Sequence, residues 1–404
     1  MRPLKGLLIL DFGRVIAAPR CARYLADLGA EVIHVERPVQ GDDTRLDPHV
    51  FEPGLSGAFI QENWGKRSLG LDLKHERAKK ILHPLLRKAD VVVENFRPGV
   101  MANLGLDYPR LQAINPRLIM CSISAYGQTG PYADRVGYGF MADAIAAIPE
   151  LTGEPDGPPM PTTVPLADNT AALLAVGMIC AALYGRVASG CGTYIDLSLL
   201  DAAFGIHDLG IQTYISTNGA TRMTRRGLHD DMRVPWGYFK AADGWVCIMC
   251  GTEPMWATLA EAIGRADMLA DPRYDTADMR RRNPDGVYAA IEAWVSSMPS
   301  AEEVVRLLSD LKIPCARVND IKQAIEDPQV EARRLIVERA HPVLGEVKLQ
   351  NFLGVNLSPD AVLRPAPLLG EHNREIALEL AGLSDSQYQA LVGEGCLYEH
   401  RRRP

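Results

Sequence analysis

Between residues 7 and 126, short apolar runs alternate with stretches whose apolar residues recur at helical spacing. LLILDF (7–12), EVIHVER (31–37), RSLGLDL (67–73), DVVVENF (90–96) and LIMCSISAY (118–126) read as strands. Residues 18–29, with Cys21, Tyr24, Leu25 and Leu28 on one face, and HERAKKILHPLLRKA (75–89) read as helices. A helix between two strands lets the chain return and add the next strand in the same direction. The pattern therefore predicts βαβ units and an α/β fold built on a Rossmann-like open parallel sheet. A chain of 404 residues, 47% of them hydrophobic, holds more apolar material than one core usually accommodates, so a second domain is expected.

Beyond that region the pattern changes. Residues 127–165 are rich in Gly and Pro and read as irregular. NTAALLAVGMICAALYGRVA (169–188) reads as one apolar helix buried on most faces, and TYIDLSLLDAAF after it as a strand and a helix. Residues 215–233 look like a polar linker. From Pro235 a hairpin with its turn at Asp243-Gly244 is expected, then helices near 254–264, 286–297 and 301–311. A short strand and a helix fall within 313–340, and one more helix near 372–381. This predicts a large α/β domain over 1–215, a small α+β domain over 225–325, and a C-terminal segment, 330–404, returning to the large domain.

A net charge of -7 gives no reason to expect a nucleic-acid partner. No run of 18 apolar residues is present, so no membrane span is expected. The eight cysteines mostly sit in apolar runs, which predicts reduced thiols and a cytoplasmic location. Cys247 and Cys250 form a lone CxxC with no second pair at zinc spacing, and in a strand they would point to opposite faces, so no metal is expected.

Three features carry candidate chemistry. DFGRVIAAPRCARYLADLGAEVIHVER has the outline of a nucleotide-binding βαβ unit ending in the acidic Glu36. Its turn, GRVIAAP, lacks the glycines that let a pyrophosphate approach the helix, so a dinucleotide is not expected. Arg37, Lys74 and Arg97 follow strand ends, where ligands of open sheets collect and where phosphates would need cations. Asp168 stands between a Pro-rich loop and the long apolar helix; it reads either as a helix N-cap or as a carboxylate held in place for chemistry.

The motifs GAEVIHVERP (29–38), GKRSLGLDLK (65–74), DVVVENFRPGVMANLGL (90–106), NPRLIMCSISAYGQTGPY (115–132), GCGTYIDLSLLDA (191–202) and APLLGEHN (366–373) occur in one order along nearly the whole chain. In them the chain resembles the class III CoA-transferases, the family of formyl-CoA transferase and the carnitine-linked CoA-transferase. The resemblance implies that Asp168, in PLADNTAALLA, is the nucleophile. It places coenzyme A against Val15, Ile16, Arg37, Leu71, Lys74, Asn95, Phe96, Arg97, Asn103, Leu104, Arg135 and Tyr138. It further implies a CoA thioester and a small carboxylic acid as substrates, no permanently bound cofactor, and an interlocked dimer. That dimer is expected to be a homodimer, with a hetero-oligomer of related chains as the other form. Ile16 and Phe59 replace the Gln and Tyr of formyl-CoA transferase, which argues against formate or oxalate; Gly139 stands where the family commonly has Asp. Two other functions remain open in the sequence. A 2-methylacyl-CoA racemase would place His where this chain has Tyr138, and a non-catalytic CoA-binding subunit would have no use for Asp168.

Overall fold

The structure is a computed structural model and describes residues 2–52, 54–351 and 363–398. The chain divides into two compact units. The larger takes in residues up to Ala146, Thr163–Leu209 and the chain from Pro328 on; the smaller takes in Ala147–Thr162 and Gly210–Asp327. The smaller unit thus draws on a wider span than 225–325, including a stretch from the Gly- and Pro-rich region.

The larger unit is built on a six-stranded parallel sheet. Its strands are β1 (Leu8–Asp11), β2 (Glu31–Glu36), β3 (Arg67–Gly70), β4 (Val91–Glu94), β5 (Ile119–Ser124) and β6 (Tyr194–Ser198). In space they run 3-2-1-4-5-6, the order of a Rossmann-like doubly wound sheet. The central strands are buried along their whole length, as a parallel sheet covered on both faces requires. The helices used below are α1 (Ala17–Asp27), α2 (Gly57–Asn63), α3 (Lys79–Lys88), α4 (Val100–Asn103), α5 (Tyr108–Ile114), α6 (Gly139–Ile145), α7 (Leu166–Ser189) and α8 (Leu199–Gly205). On one side of the sheet Leu10, Ile33, Leu69, Val92 and Met120 pack with Leu82 and Leu85 of α3, Leu111 of α5, and Ile376, Leu391 and Leu397 of the C-terminal segment.

That segment also closes the outer edge of β3. Gly70 N–H donates to Asn373 Oδ1 at 2.8 Å, Tyr398 N–H donates to the Gly70 carbonyl at 2.9 Å, and Leu71 bridges Leu397. A row of unpaired backbone groups is thereby satisfied by residues some 300 positions away in sequence (303 for the Gly70–Asn373 bond).

Three details of the larger unit differ from the sequence reading. First, the nominally irregular stretch contains α6, whose glycine and two alanines hide a helix that forms against α7 and α8. Second, α7 is not buried on most faces. Ala167, Ala171, Ala172, Ala175, Ile179 and Leu183 form its buried side, while Leu173, Leu174, Met178, Tyr184 and Val187 are exposed. Small alanines let α1 and β5 approach one side, while the large apolar side chains of the other stay exposed. Among the described residues α7 is also the one helix long and apolar enough to cross a membrane, although no apolar run of 18 interrupts the sequence. Its far end is held within the fold, with Arg186 donating to Asp90 Oδ1 at 2.8 Å and to the Arg117 carbonyl at 3.0 Å. Third, the C-terminal region holds a hairpin, Ile336–His341 with Gly345–Gln350, and a helix, Asp385–Gly393, beyond the helical turns at 373–380.

The smaller unit has a three-stranded antiparallel sheet of β7 (Trp236–Ala241), β8 (Gly244–Met249) and β9 (Cys315–Arg317), with β8 in the middle. Helices Glu253–Ala262, Pro284–Ser297 and Ala301–Asp310 pack on it around Phe239, Val246, Ile248, Trp256, Ile291 and Leu308. The hairpin turn is Ala242-Asp243 rather than Asp243-Gly244, because Gly244 already pairs with Ala241. Asp243 is fixed there by the Ala301 N–H at 2.7 Å and by Arg317 at 3.0 Å. Burial raises the Cys247 thiol and pushes that of Cys250 up to about 12, so neither is a thiolate at neutral pH.

Candidate active site

In the order 3-2-1-4-5-6 the chain turns outward in opposite directions from β1 and β4, and the loops after these strands part to leave a crevice. A pair of hydrogen bonds ties them. Arg14 N–H donates to Asn95 Oδ1 at 2.8 Å, and Asn95 Nδ2 donates to the Arg14 carbonyl at 2.8 Å. Arg14 then lies over the Phe96 ring, 5.1 Å from its centroid. Val15, β-branched, sits at φ 66°, a conformation such a residue adopts only where its surroundings enforce it. Its N–H reaches Asp42 Oδ1 at 3.4 Å.

The floor under these loops is a buried polar network. Asp11 ends β1 directly opposite His34 of β2. It accepts from Gly13 N–H at 2.8 Å and from Lys66 Nζ at 2.8 Å, and lies 3.0 Å from His34 Nδ1. Lys66, with no exposed surface, also donates to the Pro19 carbonyl at 2.8 Å and Asn63 Oδ1 at 2.9 Å, so its ammonium is fully used. Glu36, at the end of β2, accepts from Arg45 Nε at 2.7 Å and Nη2 at 2.8 Å, from Ser68 Oγ at 2.6 Å and from Asp42 N–H at 2.9 Å. Burial alone would raise Glu36, but Arg45 outweighs it and holds the carboxyl down at about 2. Glu36 is therefore a structural anion, not one offered to a ribose. Phe59 is buried as well, with the Arg45 guanidinium 3.6 Å above its ring, so it lines no acid pocket.

All twelve residues assigned to coenzyme A by resemblance follow C-terminal ends of sheet strands. Val15 and Ile16 follow β1; Arg37 follows β2; Leu71 and Lys74 follow β3; Asn95, Phe96, Arg97, Asn103 and Leu104 follow β4; Arg135 and Tyr138 follow β5. Lys74, Arg97, Asn103, Arg135 and Tyr138 are exposed. Arg37 is half-buried, donating to the Gly41 carbonyl at 3.0 Å and pairing with Asp43. Leu71 is fully buried and presents no side-chain surface. Asn95 has its amide engaged with Arg14. Arg14 itself escaped the sequence reading. Burial and the nearby Arg37 charge both lower its pKa, and Asp43 and Asp42 only partly oppose them.

Asp168 is not the N-cap of α7. That position is Pro165, which has no side chain to cap with, and Asp168 is the third residue of the helix. Its carboxylate packs directly on Gly139: a methyl group built there would overlap Oδ2 and lie 3.0 Å from Cγ. The absence of a side chain at Gly139 thus leaves room for the carboxylate. The preceding residue, Ala167, donates its N–H to Asp143 Oδ1 at 3.2 Å. The following residue, Asn169, accepts from Arg20, whose guanidinium also forms an ion pair with buried Glu62, Nε lying 3.1 and 3.0 Å from the two carboxylate oxygens. Burial pushes the Asp168 carboxyl up to about 6; Asp143 adds to the rise, Arg20 opposes it and Glu62 reinforces it. None of these partners was legible beforehand, because Asp143, Arg20 and Glu62 lie on other helices. A carboxylate with this pKa is ionised at neutral pH and is less tightly solvated than one in water, which suits a nucleophile.

The family profile described as CoA-transferase family III matches residues 4–373. The chain is 36% identical over 396 residues to the succinyl-CoA–L-malate CoA-transferase beta subunit of Chloroflexus aurantiacus, covering 96% of each. It is 32% identical over 407 residues to the succinyl-CoA:glutarate CoA-transferase of Mus musculus, covering 100% of this chain and 92% of that one. A solved CAIB/BAIF family protein from Brucella suis superposes with a TM-score of 0.81 at 32% identity, covering 94% of this chain and 99% of that one.

Proposed function

From the premise that the chain belongs to CoA-transferase family III, and is a CoA-transferase, we propose that it moves coenzyme A between dicarboxylic acids through a covalent intermediate on Asp168. The observation that carries this is the Asp168 carboxylate, seated on Gly139 at the start of α7 with a pKa raised toward neutrality.

The carboxylate attacks the thioester carbonyl of the donor; the carbon–sulfur bond breaks and CoA thiolate leaves a mixed anhydride. The thiolate returns to the aspartyl carbonyl and releases the donor's acid, giving an aspartyl-CoA thioester. The acceptor carboxylate attacks that thioester, the thiolate leaves again, and its attack on the new anhydride yields the product thioester and free Asp168. Each step exchanges one activated carbonyl for another, so the thioester's energy is kept. Each also builds an oxyanion beside the positive end of α7, whose first-turn N–H groups favour negative charge.

Malate and glutarate in the relatives' names are both dicarboxylates activated from succinyl-CoA, and the same pairing is proposed here. Incubation of the pure protein with succinyl-CoA and a panel of free acids, read by mass spectrometry, tests it. Four- and five-carbon dicarboxylates should acquire CoA at least about tenfold faster than monocarboxylates of similar size. Failure of every dicarboxylate to do so would sink the substrate proposal.

Coenzyme A is proposed to lie along the strand ends, with Arg37, Lys74 and Arg97 on its phosphates and adenine. Replacing any of the three with Ala should raise the KM for the CoA ester by about 10- to 100-fold, the equivalent of one charge-assisted hydrogen bond, and leave the acceptor's KM near its starting value. Unchanged CoA-ester KM in all three variants would remove the assignment. The exposed apolar side of α7 suits a dimer of this chain, or a pair with a related chain of the kind that the beta-subunit relative implies. Light scattering that gives a monomer at micromolar concentration would contradict this.

A further inference from the structure

We propose that Asp143 and Arg20 are positioning residues that aim the Asp168 carboxylate by gripping the residue before it and the residue after it. The proposal rests on the reading of Asp168 as the nucleophile and extends it to side chains outside the CoA crevice. Near-attack geometry requires a fixed carboxylate, and the local chain alone does not fix this one. The N-cap of α7 is Pro165, so its first-turn N–H groups have no side-chain cap of their own. Asp143 supplies one from another helix, accepting the Ala167 N–H at 3.2 Å. On the other side Arg20 reaches from α1 to Asn169 while braced by Glu62 of α2. The carboxylate between them lies against Gly139, which is four residues before Asp143 and hence on the same face of α6. One helix face therefore provides both the seat and one of the two grips.

The arrangement also sets charge. Asp143 Oδ2 is buried with no hydrogen-bond partner among the described residues, and burial raises the Asp143 carboxyl as well, so the two carboxyls share surroundings in which each is harder to ionise. The charged groups that act on Asp168 are Asp143 from α6, Arg20 from α1 and Glu62 from α2. The two carboxylates raise its pKa and Arg20 lowers it.

Variants separate aiming from charge. Asp143→Asn keeps an oxygen acceptor for Ala167 but loses the charge, so the acid limb of the kcat/KM profile should move about one pH unit lower, with the melting temperature preserved. Asp143→Ala also loses the acceptor, and kcat should fall about 10- to 100-fold while the CoA-ester KM stays constant. Arg20→Lys keeps the charge but cannot span Glu62 and Asn169 together, so kcat should fall similarly with the acid limb unmoved. A limb that stays put in Asp143→Asn, or full kcat in both Asp143→Ala and Arg20→Lys, overturns the positioning role. The same preparations are treated with acyl-CoA and hydroxylamine. A wild-type adduct on Asp168 shows that any such failure belongs to the positioning proposal; an adduct on another residue overturns the nucleophile reading together with it.

Discussion

Asp168→Ala should abolish CoA transfer, with kcat lowered by about 10⁴-fold or more, while leaving CoA binding and the melting temperature close to those of the parent. The expectation follows from the place of the side chain. It is not a cap, since Pro165 occupies that position, and no hydrogen bond from it closes the first turn of α7. Its removal therefore costs the helix little, whereas loss of a cap would cost about 0.5–2 kcal/mol. Asp168→Asn is the sharper variant. An amide matches the carboxylate in size and fits the space over Gly139, yet it is a poor nucleophile, so this variant should be nearly as inactive. Hydroxylamine or borohydride added to protein mixed with acyl-CoA should mark the peptide that contains Asp168. In the parent enzyme the carboxyl must be ionised, so kcat/KM should rise as pH increases through about 6, the value to which burial and Asp143 push it. Full activity of Asp168→Asn, or a mark on another peptide, would end the mechanism proposed above.

Lys66→Met should destabilise the larger unit by about 3–5 kcal/mol, because it leaves the Asp11 carboxylate buried without its ammonium partner. The replacement fills the same space, so the loss is electrostatic. Adding Asp11→Asn to Lys66→Met removes the orphaned charge and should recover part of the loss. Urea unfolding of the single and double variants measures both effects, and a single variant within 1 kcal/mol of the parent would contradict the account (an order-of-magnitude threshold, about the worth of one ordinary hydrogen bond). The network also sets a pH window. Burial works against ionised Asp11 and Glu36, but Lys66 and Arg45 outweigh it and hold both carboxyls below the ordinary range, so their stabilisation is present above that range and is lost as pH falls through the folded values. Burial likewise opposes charge on His34, yet Asp11 raises it to about 9; its contribution is complete below about 6.5 and fades as pH climbs toward 9.

The parallel sheet was legible because its strands are buried on both faces and so appear as continuous apolar runs, such as VVVE at 91–94. The hairpin at 336–350 was not legible because its strands are half exposed and mix charged with apolar residues, which weakens any apolar signal. The apolar character of α7 was read correctly but its burial was not: composition tells that a helix is hydrophobic all round, not whether the same chain covers it. The same limit applies to the site. Asp168 could be picked out by resemblance, and the cations by their position after strands. Asp143, Arg20 and Glu62 could not, since Arg20 and Asn169 are 149 residues apart and meet only through the packing of α1 on α7.

The closure of β3 by the C-terminal segment has a consequence in time. On the ribosome the strand at 67–70 emerges first, while Asn373 and Tyr398, which satisfy its outer edge, emerge some 300 residues later (303 for Asn373). At ordinary translation speeds the 303 residues between Gly70 and Asn373 take about 15–60 s to synthesise. The smaller unit, apart from its brief 147–162 stretch, is continuous from Gly210 to Asp327 and is complete before that moment. Throughout that interval, then, the nascent chain carries an open β edge that its later residues have yet to cover. A stop codon anywhere before those residues leaves the edge bare permanently and turns a folding protein into a template for aggregation.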